Sequence, residues 1–291
     1  MLLKSWKVGA GSALLLIFFL SCGSSKHSRK AEGMPGTWQD QPIMIDGDSK
    51  DWPSPYPNFD AKAMIAYATS NDKENLYITM QAGDELTQLK ILKQGMRVSI
   101  DTSGGKEASF HINFPMPNDL DPIDLPQSVH VKDGENLHLN KQLDVKLSKS
   151  AKDANQFSLD GFYNCTGGYM VSQTIPCGIK VITRIDEYKQ LVWEAVVPFK
   201  AIYGKIMIDS KDAGKPISVC FAIKGFKNPA SKNNDNSGNG ISNNTGGTGA
   251  NLNGRGANRG AGGTRAPENP LQHLYDNTKT WKQFGLSYKQ N

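Results

Sequence analysis

Apolar and polar positions alternate along much of this chain with the period of two that puts every second side chain of a strand on one buried face. The pattern is clearest between Met64 and Asp101. Met64-Ile65-Ala66-Tyr67-Ala68-Thr69 is a β-type run, Ser70 to Asn75 is a polar turn, and Leu76-Tyr77-Ile78-Thr79-Met80 returns as a second strand. Two strands of similar length around a tight polar turn make a hairpin. Gly95 to Asp101 reads as a third strand of the same antiparallel sheet. Between them, Asp84 to Lys93 sets Leu86, Leu89 and Leu92 on one helical face and is expected to form one or two helical turns.

Further strands are expected at Pro42 to Gly47, Ser109 to Phe114, Ile179 to Ile185, Leu191 to Val197, Ile217 to Ile223 and Trp281 to Tyr288. Val129 to Val131 and Leu137 to Leu139 flank the turn at Asp133-Gly134 as a second hairpin. Pro115 to Pro126 is a Pro- and Asp-rich loop. About ten strands with little helix predict an all-β fold, an antiparallel β-sandwich. The segment from Ser231 to Arg265 departs from the pattern, because it is mostly Gly and Asn with a few isolated aliphatic residues. It cannot bury enough apolar surface to offset its ordering entropy, so it is expected to be a disordered loop before the last strand. None of its glycine pairs carries the Lys and Ser/Thr of a phosphate-binding loop.

The chain's 291 residues leave room for one large β domain or two small ones, and with the first 36 residues set aside the strands read as a single domain, 37–291. Lys4 and Lys7 precede the short apolar run Leu14 to Leu20, which is too short to span a bilayer and is built as an export signal. Ser21-Cys22 at its end resembles the cleavage box of bacterial lipoproteins. That resemblance implies removal of residues 1–21 and a lipid, such as palmitate, on Cys22. Gly23, rather than Asp, after the cysteine implies the outer membrane. Residues 22–36 are small, charged and turn-prone, and read as a flexible tether. Export to an oxidising compartment makes Cys165 and Cys177 a candidate disulfide closing a loop worth about 3 kcal/mol. Cys220, within an apolar strand, reads as a small buried residue. The formal charge of +5 includes the two signal lysines, and no Lys/Arg stripe points to nucleic acid as a partner.

The order of these strands resembles the family 9 carbohydrate-binding modules and the related DOMON-type sandwiches. The residues that carry it are Ile43-Met44-Ile45-Asp46-Gly47 with Asp51-Trp52, Asn71-Asp72 to Ile78, and Val98-Ser99-Ile100-Asp101. Leu191-Val192-Trp193-Glu194-Ala195-Val196-Val197-Pro198-Phe199 is similar to that group's glutamate-bearing strand, and Trp281 to Tyr288 to its last strand. The resemblance implies a jelly-roll-like β-sandwich, sugar binding and no catalysis. It also implies two tryptophans gripping a terminal sugar, and here the chain departs from the family. Leu89 to Gln94 holds no aromatic, Arg97 stands where an acid is common, and Tyr275 is the nearest match to the second tryptophan. Candidate ligand contacts are therefore Tyr275, Trp38, Arg97 and Asp84, with Trp38 and Tyr275 in turn-like contexts that packing explains poorly.

Trp52 and Trp193 are expected in the core. Asp119, Asp121 and Asp124 crowd one loop as calcium ligands do, and Asp46, Asp48 and Asp51 form a similar acidic group, two of them explained by the Asp-Gly turn. His130 and His138 would face each other across their hairpin as half a metal site. Some DOMON-type sandwiches hold haem between Met and His or Lys, and Met64, Met80, Met96, His111 and Lys93 are the corresponding residue types here. No catalytic dyad, nucleophile elbow or zinc spacing is visible. The expectation is a non-catalytic, lipid-anchored envelope lipoprotein that binds a glycan, needs no cofactor unless calcium, and meets the membrane through its lipid. The alternatives are an assembly lipoprotein with a protein partner in the envelope and, behind it, a haem-binding electron carrier.

Overall fold

The hairpin read from the sequence is the centre of one of two packed sheets in the computed structural model, which describes residues 36–117, 141–227 and 272–289. Cys22 with the expected signal and tether, Asp119, Asp121 and Asp124, the expected hairpin with His130 and His138, and the Gly/Asn-rich segment 231–265 lie outside the described residues.

Sheet I is built on β3 (Ile65–Asn71) and β4 (Asn75–Ala82), and continues through β10 (Leu191–Pro198) to β9 (Lys180–Ile185). Two short pieces, β1 (Thr37–Trp38) and β2 (Asn58–Asp60), share the far side of β3. β1 runs parallel to β3, the one departure from antiparallel pairing among the described strands. Sheet II runs β12 (Thr278–Gly285), β11 (Pro216–Ile223), β5 (Met96–Asp101), β6 (Phe110–Asn113), β7 (Gln156–Phe162), β8 (Cys165–Met170). The chain crosses between the sheets after β4, β8 and β10. The fold is an all-β sandwich.

Several local expectations need correction. Gly95 to Asp101 does form a strand, but β5 belongs to sheet II and not beside the hairpin. The reason is α1 (Glu85–Gln94), a full ten-residue helix that carries the chain about 15 Å before β5 begins. Asp84 caps it by accepting from the Thr87 N–H at 2.7 Å, and Leu86, Leu89 and Leu92 are buried as their spacing requires. Pro42 to Gly47 is irregular rather than a strand, because the Asp46 and Gly47 N–H groups bond a side chain of sheet I instead of a neighbouring strand. The last strand starts at Thr278, three residues before Trp281. α2 (Lys141–Asp153) is not among the elements expected from the sequence, although Leu143, Leu147 and Ala151 repeat at helical spacing and are all buried.

The main core fills the space between the sheets. Trp193 and Phe221 meet edge to face at 6.5 Å, and the buried Trp193 indole donates to the Phe114 carbonyl at 3.0 Å. The Cys165–Cys177 disulfide is formed, with Cα atoms 5.9 Å apart, and ties the first residue of β8 to the connection that leads into β9. A second, smaller core sits on the outer face of sheet I. There Ile43 and Trp52 pack on Ala68 and Tyr77, so the segment before β2 covers that face. No hydrophobic cluster among the described residues covers the outer face of sheet II.

Candidate functional site

Strand alternation sorts the residues of sheet II into a core face and a solvent face. Val98, Ile100, Phe110, Ile112, Phe157, Leu159, Val219 and Phe221 enter the core. Their neighbours therefore point outward, and cross-strand register aligns them in rows. One row runs Trp281, Cys220, Ser99, His111, Asp160 across five strands. The next runs Lys279, Ala222, Arg97, Asn113, Ser158. At a strand spacing near 4.8 Å, each row is about 19 Å long.

Hydrogen bonds organise this face. Arg97 Nε donates to Asn113 Oδ1 at 2.7 Å, and Asn113 Nδ2 donates to Ser158 Oγ at 2.9 Å. The Lys279 ammonium lies 5.4 Å from the centre of the Trp281 ring. His111 Nδ1 and Ser99 Oγ are 2.9 Å apart. Partial burial lowers the His111 pKa, the nearby Arg97 and Lys279 charges add to the effect, and Asp160 opposes it. The imidazole is therefore neutral near pH 7. Cys220 is fully buried beside Trp281, and burial pushes its thiol up to about 11, so it is no nucleophile at neutral pH. Asp101, two residues on from Ser99, turns its carboxylate onto its own loop, accepting from Ser103 N–H and O–H and from Glu107 N–H.

Ser99, His111 and Asp160 lie in line and are the residue types of a hydrolytic triad. Their setting differs from one. Ser99 is 6% exposed, and it lies mid-strand between β11 and β6, where backbone N–H groups serve the sheet rather than an oxyanion. Among the described residues no hydrogen bond joins Asp160 to the imidazole. The arrangement presents an aromatic ring, two cations, an amide and an acid to a ligand lying on the sheet.

The residues expected to contact a ligand do not form one site. Arg97 is on this face, and Tyr275 ends α4 (Gln272–Tyr275), three residues before β12 at the same end of sheet II. Asp84 is the cap of α1, with His273 Nε2 3.3 Å from its carboxylate. Trp38 lies near the opposite end of the β3–β4 hairpin from Asp84, beside Asn71 and edge-on to Tyr288. Asp46, Asp48 and Asp51 bond the backbone N–H groups of Asp48, Lys50 and Met44. Among the described residues no three His, Cys, Asp or Glu side chains gather as metal ligands. Met80 and Met96 are core residues, on the other face of their sheets from the surface that carries His111, so they do not meet it. Trp281, Lys279, Asn113, Ser158 and Asp160 were not singled out from the sequence. The available signal was a tryptophan in phase with Lys279 and Gln283 and out of phase with buried Phe284.

Glu194 is the anchor of the opposite face. It is fully buried on the outer side of β10, where Oε2 accepts from Gly47 N–H at 2.7 Å and Asp46 N–H at 3.2 Å. Oε1 accepts from the Trp52 indole at 2.7 Å. Burial pushes its carboxyl up to about 7, against the three donors, which pull it down. Gly47 adopts a left-handed backbone (φ +82°), and a Cβ there would meet the Arg184 side chain at 2.8 Å.

Fold and face together define a two-sheet sandwich with one outer side covered by the segment before β2 and the other polar, partly aromatic and, among the described residues, covered by no hydrophobic cluster. No protein-family model matches the chain, and no curated protein matches it either.

Proposed function

We propose that this protein is a non-catalytic, lipid-anchored protein of a bacterial outer membrane that binds a glycan across the outer face of sheet II. The observation that carries the reading is Trp281 in register with Ser99, His111 and Asp160 on a face that no described hydrophobic cluster covers. Aromatic rings pack on the apolar faces of sugar rings, and surrounding amides, hydroxyls and charges serve the hydroxyl groups. The cation over Trp281 is on the exposed Lys279, and such contacts are worth only about 0.5–1 kcal/mol, so a sugar can displace it. The lipid on Cys22 follows from the resemblance of the leader, as does the envelope address.

The test is affinity electrophoresis of the purified chain through a panel of soluble polysaccharides. Trp281→Ala should abolish retardation while the chain still unfolds in a single cooperative transition, because the ring sits outside both cores. Cys22→Ser should release the protein from membranes and keep the retardation. Retardation that persists in Trp281→Ala would move the site away from this face.

A second reading, a protein-binding envelope component, is favoured by one feature. A groove of about 1200 Å3 lies between α2 and β9, and Val145 (70% exposed) and Met170 present apolar surface to it. A defined envelope partner kept by Trp281→Ala and lost by Val145→Asp would support this reading over the first.

A further inference from the structure

The row beside Trp281 carries a charge pattern that specifies more than a generic sugar. Lys279, Ala222 and Arg97 are consecutive across β12, β11 and β5. Strand spacing sets the Lys279 and Arg97 Cα atoms about 10 Å apart, and Ala222 puts only a methyl group between them. Two cationic arms thus flank a shallow gap next to an aromatic ring. The Arg97 guanidinium is exposed yet oriented, because its Nε is bound to Asn113, whose own amide is bound to Ser158. This leaves its terminal amino groups as a planar fork, the geometry that matches a carboxylate with two parallel hydrogen bonds. Among the described residues no Asp or Glu lies within ion-pairing distance of Arg97 or Lys279. Asp160, the acid of this face, sits two strands away from Arg97 and one row along, beside His111.

We propose that the glycan taken by this face is carboxylate-bearing, a polyuronate, with a carboxylate seated between Arg97 and Lys279 above Ala222. The sugar ring then lies against Trp281, and Asp160 accepts from hydroxyl groups at the other end of the row. This rests on the reading of sheet II's outer face as the binding face. A sulfate ester can also offer two oxygens to the Arg97 fork, so a sulfated polymer is the control that separates a carboxylate from anionic charge alone.

The experiment is calorimetric titration of the full chain with polygalacturonate and alginate, the same polymers with their carboxyls reduced to alcohols, and dextran sulfate. The polyuronates should bind at least about tenfold tighter than their reduced forms, with an affinity that falls as salt rises. The double variant Arg97→Gln, Lys279→Gln should erase that difference and most of the salt dependence. Lys211→Gln, on an exposed 3-10 turn that precedes β11, at the end of that strand away from Ala222, should change neither. If the reduced polymers bind as tightly as the acids and Trp281→Ala removes both, the carboxylate assignment is wrong and the glycan reading stands. If dextran sulfate binds as well as the polyuronates, or Lys211→Gln weakens binding equally, the attraction is unspecific and the assignment is overturned. If no polymer binds at all, the glycan reading itself fails.

Discussion

Replacing Glu194 by glutamine separates two opposing forces that meet on one buried side chain. Burial favours the neutral acid, while the N–H groups of Asp46, Gly47 and Trp52 favour the carboxylate. Burial prevails, raising the pKa from 4.5 to about 7. A group whose folded pKa is raised binds protons more tightly when folded, so its stabilising contribution is complete below the unfolded value. That contribution is lost as the pH rises through the folded value. At about 1.4 kcal/mol for each pH unit between the two values, the linked term is about 3 kcal/mol, most of it lost between pH 5 and pH 8. Glutamine is nearly isosteric and does not titrate. Its single oxygen can serve Asp46 and Gly47, but its amide then faces the Trp52 N–H, leaving a buried donor unpaired at a cost of about 1–3 kcal/mol. Urea unfolding followed by tryptophan fluorescence at several pH values between 5 and 8 measures both effects. Glu194→Gln should be clearly less stable than the parent at pH 5 and close to it at pH 8. Parallel stability curves across that range would refute the claim that burial outweighs the three donors.

The disulfide should matter to the sandwich as a whole, since it closes the crossing from sheet II to sheet I. Reduction, or Cys165→Ser with Cys177→Ser, should cost about 3 kcal/mol in urea unfolding, and a loss below about 1 kcal/mol would contradict it. Asp84 caps α1, so Asp84→Ala should cost about 1 kcal/mol and speed amide exchange in the first turn of the helix. Asp84→Asn should restore most of the loss, whereas an equal loss in both variants would show that the cap is not what Asp84 provides.

The strand pattern was legible because its cause is local. An alternating run such as Leu191 to Val197 has few ways to bury one face except as a strand, and α1 announced itself through Leu86, Leu89 and Leu92. Spacing and the expected export to an oxidising compartment together point to Cys165 and Cys177. β7 and β8 were missed where the local signal is weak. β7 is interrupted at Gly161 with a register shift, and β8 carries Gly167-Gly168 in place of packing side chains.

Alternation says that a strand has two faces and does not say which one will be core. Trp281 reads like any apolar strand residue until β12 pairs with β11 and Phe284 takes the inward phase. Cys220 looks like core and is buried, yet it lies on the outward phase beneath that tryptophan. Shifting either strand by one residue would exchange the two faces entirely, and nothing within the strand fixes that register. The same holds for Arg97 and Lys279, which stand far apart along the chain and share a row only because β11 comes between their strands. Which strands exist is set by short-range sterics and side-chain periodicity. Which sheet each one joins, and which side of it meets water, is decided by the long-range burial that packs the two sheets together.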